Sequence, residues 1–232
     1  MTDRSTTILV QHTKHFYHLA MLSALFGVLV TTTAGKTLDL FGTPYSITIF
    51  YFPFIYVIGD ILTEVYGFAL ARRALWYLTI ARVIMIVLLG LIALAPSAAS
   101  MKNSTAYDIV FSQAPYIALV QIASTFAGDI FNNYIVAKLK VACSGRHMSL
   151  RFVLSTLGSE LVNSFIFYFF ALGLTGIIPM SIILSSIIGA TLLKSLIEIL
   201  VLPISLPLAR KLKKIEGIDF YDRGTDFNPL KF

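Results

Sequence analysis

Charge is scarce in this chain. Asp, Glu, Lys and Arg make up 13% of its 232 residues, about half the ~25% of an ordinary soluble domain. So few polar side chains cannot cover a water-facing surface, which excludes a simple soluble globule. With 57% hydrophobic residues and a mean hydropathy of +0.82, the remaining surface is expected to face lipid. Cysteine is nearly absent as well. Cys143 stands alone in a basic segment, so there is no disulfide framework, and an unpaired thiol fits a reducing cytoplasm. The Gly-x-x-x-x-Gly-Lys-Ser/Thr phosphate loop is missing, and no His-Glu-x-x-His or Ser/His/acid set lies at membrane depth. ATP hydrolysis by that loop and intramembrane hydrolysis therefore lack their parts. The chain is read as a non-enzyme without a cofactor. His12, His15 and His18 cluster at the start of the first apolar run; they are read as interfacial side chains, and no metal ligand is expected.

The apolar residues are gathered into runs. They cover Phe16–Ala34, about Pro44–Leu70, Ala74–Ala95, Pro115–Ala137, Phe152–Leu174, and from near Pro179 to Pro203 or Pro207. Each is long enough to span about 30 Å of hydrocarbon at 1.5 Å per residue. None alternates as a barrel strand would. Basic residues punctuate alternate loops: Arg4 and Lys14, then Arg72-Arg73, then Lys138, Lys140, Arg146 and Arg151, then Arg210, Lys211, Lys213 and Lys214. The other loops hold only Lys36 and Lys102. Cytoplasmic loops carry the Lys/Arg excess, so the expectation is an all-α bundle of six transmembrane helices with cytoplasmic N- and C-termini. Residues 1–15 form an N-terminal segment, 16–209 the membrane domain and 210–232 a basic and polar tail. The net charge of +6 lies in these short clusters, which suits anionic lipid headgroups better than nucleic acid. Oligomeric state is left open, a homo-oligomer included.

Within the runs stand charges that are costly in hydrocarbon, roughly 2.5–3.5 kcal/mol each on insertion scales. Asp60 and Glu64 are four apart and share a face, as do Lys194 and Glu198; Asp129, Asn132 and Asn133 follow on the fourth run, Glu160 and Asn163 on the fifth. Glu64 with Arg82, or Lys194 with Glu198, could form structural pairs; Arg82 could equally snorkel to the interface. Five carboxylates (Asp60, Glu64, Asp129, Glu160, Glu198) nevertheless face two cations, Arg82 and Lys194. The excess acid points to protonated groups or to a donor-bearing solute. Pro53 sits inside the second run, flanked by Phe52, Phe54 and Tyr56, rings that can stack on a planar ligand.

Pro53-Phe54, the run Gly59-Asp60-Ile61-Leu62-Thr63-Glu64-Val65-Tyr66-Gly67, Ala71-Arg72-Arg73 and Trp76 together resemble the signature segment of the queuosine precursor transporter family, also called the vitamin uptake transporter family. Gly128-Asp129, Asn132, Tyr134, Ala137-Lys138 and Lys140 resemble its fourth helix. Arg151, Ser155-Thr156 and Glu160 to Phe167 are similar to its fifth, and Lys194, Glu198 and Pro203 to its sixth. The tail from Glu216 to Pro229 resembles its polar C-terminus. The resemblance spans roughly residues 16–229, with Asn163 standing where an acid is expected and Asp129 where Glu is usual. It implies a multi-pass inner-membrane protein importing 7-deazaguanines (7-cyano-7-deazaguanine, 7-aminomethyl-7-deazaguanine or queuine) for salvage into modified tRNA. The alternative is a carrier for another planar heterocycle, a purine or vitamin, with a separate energising module. A guanine-like edge offers N1–H and an exocyclic amine to one carboxylate. The candidate acceptors are Asp60, Glu64 and Glu160, with Asp129 and Glu198 beside them. Lys194, Asn132 and Asn163 are candidate donors, and Phe52, Phe54 and Tyr56 candidate stacking rings.

Overall fold

The computed structural model describes residues 13–98, 101, 103–106 and 115–231. Arg4, His12, Lys102 and much of the polar 97–113 loop lie outside the described residues. Helices α1 (Phe16–Thr33), α2 (Pro53–Tyr66), α3 (Phe68–Ala93), α4 (Pro115–Ala142), α5 (Met148–Ile166) and α6 (Ile183–Glu216) form the bundle. A two-stranded hairpin, β1 (Thr37–Leu40) and β2 (Thr43–Ser46), follows α1, and α5 continues as a π-helical turn over Phe167–Gly173.

The second apolar run is not one helix. Its first part is β2 and a 3₁₀ turn, and α2 begins only at Pro53, which occupies the first helical turn rather than kinking an interior. Proline lacks an N–H, and a first turn needs none there. Gly67 then ends α2 with φ +85°, a region that favours glycine. Arg72 and Arg73 therefore lie within α3. The sixth run also continues past expectation, through Pro203 and Pro207 to Glu216, so Arg210 to Lys214 lie on a helix.

Phe16–Thr33, Phe68–Ala93, Met148–Gly173 and Met180–Glu216 are each long and apolar enough to cross a membrane. α2 has 14 residues, and α4 carries Gln121, Ser124, Thr125, Asp129, Asn132 and Asn133 along its length. These two polar or short helices are packed among the others. Leu25, Leu88, Leu91, Leu161, Leu200 and Ile204 point outward, whereas Asp60, Glu64, Arg82, Lys140, Arg151 and Glu160 are buried. Apolar outside and polar inside is the reverse of a soluble globule and fits a lipid surround.

The two ends are closed differently. At one, the hairpin turns through Phe41 (φ 54°) and Gly42 (φ 75°), a type I′ geometry that matches strand twist. The Ser46 amide donates to the Tyr168 hydroxyl at 3.1 Å, and the Ser46 hydroxyl to Ala34 O at 2.8 Å, tying the hairpin to the π-helical turn and to α1. At the other end, residues 217–231 fold back over α2, α3 and α4.

Close helix approach depends on Gly128. A Cβ there would collide with the Tyr56 hydroxyl and stand 3.2 Å from Ser159 O on α5. Membrane bundles use small residues at such crossings because apolar surface gives no drive for association in lipid. Gly128→Leu is expected to lower the melting temperature of detergent-purified protein by several degrees. Gly90→Ala, where nothing stands within 4 Å, should leave it unchanged or raise it slightly by helix propensity.

Candidate functional site

Glu64 lies on α2 with no exposed side-chain surface. Arg151 of α5 grips it through both guanidinium nitrogens, Nη1–Oε2 at 2.6 Å and Nη2–Oε1 at 3.1 Å. Lys213 of α6 reaches Oε1 at 2.6 Å, and Lys140 of α4 stands at 3.8 Å. One carboxylate thus joins four helices. A bidentate Arg with further ammonium donors is the arrangement in which a buried charge is held at least cost. Asp219 continues the network, 2.6 Å from Lys140 and 2.8 Å from Lys213. Burial raises the Asp219 carboxyl, but the two lysines outweigh it and hold it below the ordinary aspartate range.

Several other residues of the signature segment also have defined partners. Thr63 donates to Asn133 Oδ1 at 3.0 Å, and the Tyr66 hydroxyl to Glu216 at 3.1 Å. Glu216 in turn accepts from the Lys14 and His15 amides at the start of α1, where the helix dipole favours an anion. Gly67 makes room for the Phe220 ring, which a Cβ would strike. Asp222 of the tail accepts from the Phe68 amide at 3.1 Å and caps α3. Arg72 donates to Asp226 O and Asn228 O, Trp76 to Pro229 O, and Lys138 stands 4.3 Å from the Phe227 ring centre.

Further into the bundle lies a second polar layer. Lys194 of α6 donates to Glu160 Oε2 and to Asn163 Oδ1, both at 3.0 Å, with its ammonium 4.3 Å from the Phe52 ring centre. That leaves Glu160 Oε1 and Asn163 Nδ2 buried with no partner. Asn132 Nδ2 donates to Asp60 Oδ1 at 2.5 Å, and the Thr156 hydroxyl donates to Glu198 Oε1. Asp60 Oδ2, Glu198 Oε2, Asp129 Oδ1 and the Tyr56 hydroxyl are also buried without partners. A polar atom left unpaired inside a protein costs about 1–3 kcal/mol, so this many in one layer marks a place that another molecule can complete. Beside it, a small cleft is lined by Ser23, Tyr56, Gly59, Asp129 and Asn133 together with apolar residues of α2 and α3.

The structure brings Phe52, Tyr56, Asp60, Asp129, Asn132, Glu160, Asn163, Lys194 and Glu198 into this layer. Glu64 stands outside it, one turn along α2 from Asp60, with both oxygens taken by cations. Phe54 is also outside, partly exposed and stacked on Phe26 with ring centres 5.4 Å apart. The pairings anticipated from sequence are not formed. Glu64 meets Arg151 and Lys213 rather than Arg82, and Lys194 meets Glu160 and Asn163 rather than Glu198. A 3.6-residue period places residues on one face, but a lysine's reach lets it choose a neighbouring helix. Arg82 does not snorkel: it is 1% exposed and donates to Thr31 Oγ1 at 2.5 Å and Thr125 Oγ1 at 3.2 Å. Lys140 and Arg151, read from sequence as loop charges, are buried. Their only sequence signal is their recurrence in the family-like motifs.

Glu64→Ala would leave Arg151 buried without its partner, a loss expected at about 3–5 kcal/mol and seen as a lower thermal midpoint or failed insertion. Arg146→Ala, at an exposed side chain, should stay within about 0.5 kcal/mol. Because Asp219 titrates below its unfolded value of about 3.9, its hold on the tail is complete above that pH and is lost as pH falls through the lower folded value. Asp219→Asn should remove the hold at all pH values, read as faster protease cleavage within residues 217–231 at neutral pH.

These features can be set beside known proteins. A family model described as "Putative vitamin uptake transporter" matches residues 46–207. The "Probable queuosine precursor transporter" of Bacillus subtilis (strain 168) is 29% identical over 182 residues, 78% of this chain and 76% of that protein. No solved structure matches the chain. Matched by the family model over well more than half its length, and folded as a multi-pass bundle with a polar interior, the chain belongs to the vitamin uptake transporter family.

Proposed function

We propose that this transporter imports a queuosine precursor, a 7-deazaguanine, across the inner membrane into the cytoplasm. It would do so as a six-crossing bundle with both termini cytoplasmic, as the alternation of basic loops suggests. In this reading residues 16–209 form the transport domain, the flanking segments lie on the cytoplasmic side, and the chain has no enzymatic role. The observation that carries the reading is the way Lys194 uses one atom each of Glu160 and Asn163. Glu160 Oε1 is left as an acceptor and Asn163 Nδ2 as a donor, one helical turn apart on α5. A guanine-like edge complements this pair: a ring N–H donor for Glu160 Oε1 and the adjacent carbonyl oxygen for Asn163 Nδ2. Asp129 Oδ1 offers a further acceptor, and Phe52 and Tyr56 supply rings for the planar face. Asn132 positions Asp60 rather than meeting the solute, since both of its amide atoms are engaged within the bundle.

The test uses cells unable to make 7-deazaguanines, supplied with 7-cyano-7-deazaguanine at nanomolar levels, with queuosine in tRNA as the readout. Expression of the chain should restore queuosine, and no gain over empty vector would overturn the substrate assignment. Glu160→Gln should reduce uptake about 10–100-fold, the worth of a charge-assisted hydrogen bond of roughly 1.5–3 kcal/mol, at equal protein in the membrane. Competition by excess guanine or a vitamin heterocycle, stronger than by the deazaguanine itself, would favour the broader heterocycle carrier.

A further inference from the structure

We propose that the facing carboxyl groups of Asp60 and Glu198 form a proton-binding site that couples solute import to inward proton movement. The inference rests on the transport reading above and adds its energy source.

Asp60 on α2 and Glu198 on α6 are each buried, and their carboxyls are neighbours across the contact between these two helices. Each is tethered from its outer side, Asp60 by Asn132 and Glu198 by Thr156. That leaves Asp60 Oδ2 and Glu198 Oε2 without any donor. Two acceptor oxygens held against each other away from water repel unless something positive lies between them. The neighbouring cations are committed elsewhere. Arg151 and Lys213 hold Glu64, and Lys194 holds Glu160 and Asn163. Arg82 of α3 is anchored on Thr31 of α1 and Thr125 of α4. The other acidic groups nearby, Asp129 of α4, Glu160 of α5 and Glu64 of α2, only add negative field. A single proton on either carboxyl converts the clash into an O–H···O bond.

The spacing links this proton to the solute. Asp60 lies four residues after Tyr56 on α2, and Glu198 four after Lys194 on α6, so each member of the pair sits one turn along the same helix face from a solute-layer residue. Adding the proton draws α2 and α6 together at both levels. Releasing it leaves two like charges that push the helices apart and open the clamp of Lys194 and Phe52. One O–H bond forms on the outer side and breaks on the inner side as the proton passes to water, so one proton accompanies each solute molecule.

The test uses full-length protein in proteoliposomes, with labelled 7-cyano-7-deazaguanine outside. At one proton per solute, a step of one pH unit, acid outside, should raise steady-state accumulation about tenfold, and a protonophore should abolish the rise. Asp60→Asn and Glu198→Gln should bring the ratio of acid-outside to symmetric-pH uptake to about one. Accumulation indifferent to the gradient in wild type, or a gradient response retained by both variants, would overturn the proposal. Complete absence of uptake at every pH would instead fail the substrate assignment. The pair is then read without solute by infrared difference spectroscopy of the purified protein. A protonated carboxyl C=O band at neutral pH that either variant removes supports the site; no such band, or one surviving both variants, overturns it.

Discussion

A buried carboxylate cannot be left alone in a bundle surrounded by hydrocarbon, and the placement of Glu64 shows how many elements answer to that constraint. Its two oxygens draw in Arg151 from α5 and Lys213 from α6, with Lys140 of α4 standing at 3.8 Å. Asp219 then pairs with both lysines, which brings the tail down onto the bundle. Once the tail is there, Asp222 caps α3, Phe220 fills the space above Gly67, and Arg72 closes on the Asp226 and Asn228 carbonyls. The short α2 needs this support. With 14 residues it reaches only about 21 Å at 1.5 Å per residue, and its Glu64 is satisfied entirely by neighbouring helices.

The same constraint separates two kinds of polar layer. Around Glu64 every carboxylate is paired, with Arg151, Lys140 and Lys213 serving Glu64 and Asp219, as expected of a joint that holds helices together. Around Lys194 the pairing is incomplete: acceptors on Asp60, Asp129, Glu160 and Glu198 and a donor on Asn163 remain free. A membrane protein has no water in its surroundings to complete such groups, so the unfilled layer reads as the solute path and the filled one as its support. Both layers lie between the hairpin at one end and the folded-back tail at the other. The π-helical turn at Phe167–Gly173 begins just after Asn163 and Ser164, and its Tyr168 accepts from the hairpin at Ser46. Irregular helix beside a polar layer is common where function needs it.

Several elements were legible in the linear chain. The apolar runs place α1, α3, α4, α5 and α6 to within a few residues at most ends, because a membrane crossing demands a long, nearly uncharged stretch. The second run misled. Its hydropathy is continuous from Pro44 to Leu70, yet Pro44–Ser46 is strand and Gly67 breaks the helix, since hydropathy reports burial and not backbone conformation. Arg72-Arg73 and Lys213 looked like loop charges for the same reason, as charge near an apolar boundary does not say whether the helix has ended. Lys140 and Arg151 were misplaced because their partners, Glu64 and Asp219, are 76 or more residues away.

By itself the sequence determined a helical membrane protein with excess interior acid and identified the residues that carry it, because both follow from composition and from the cost of charge in hydrocarbon. Only the tertiary structure decided which acids are neutralised and which are not. Glu64 is held by cations on both oxygens and Glu160 by Lys194 on one, whereas Asp60, Asp129 and Glu198 each keep an oxygen without a partner, since that division depends on which side chains of different helices lie within 3 or 4 Å of one another. Periodicity along a single helix carries no record of that.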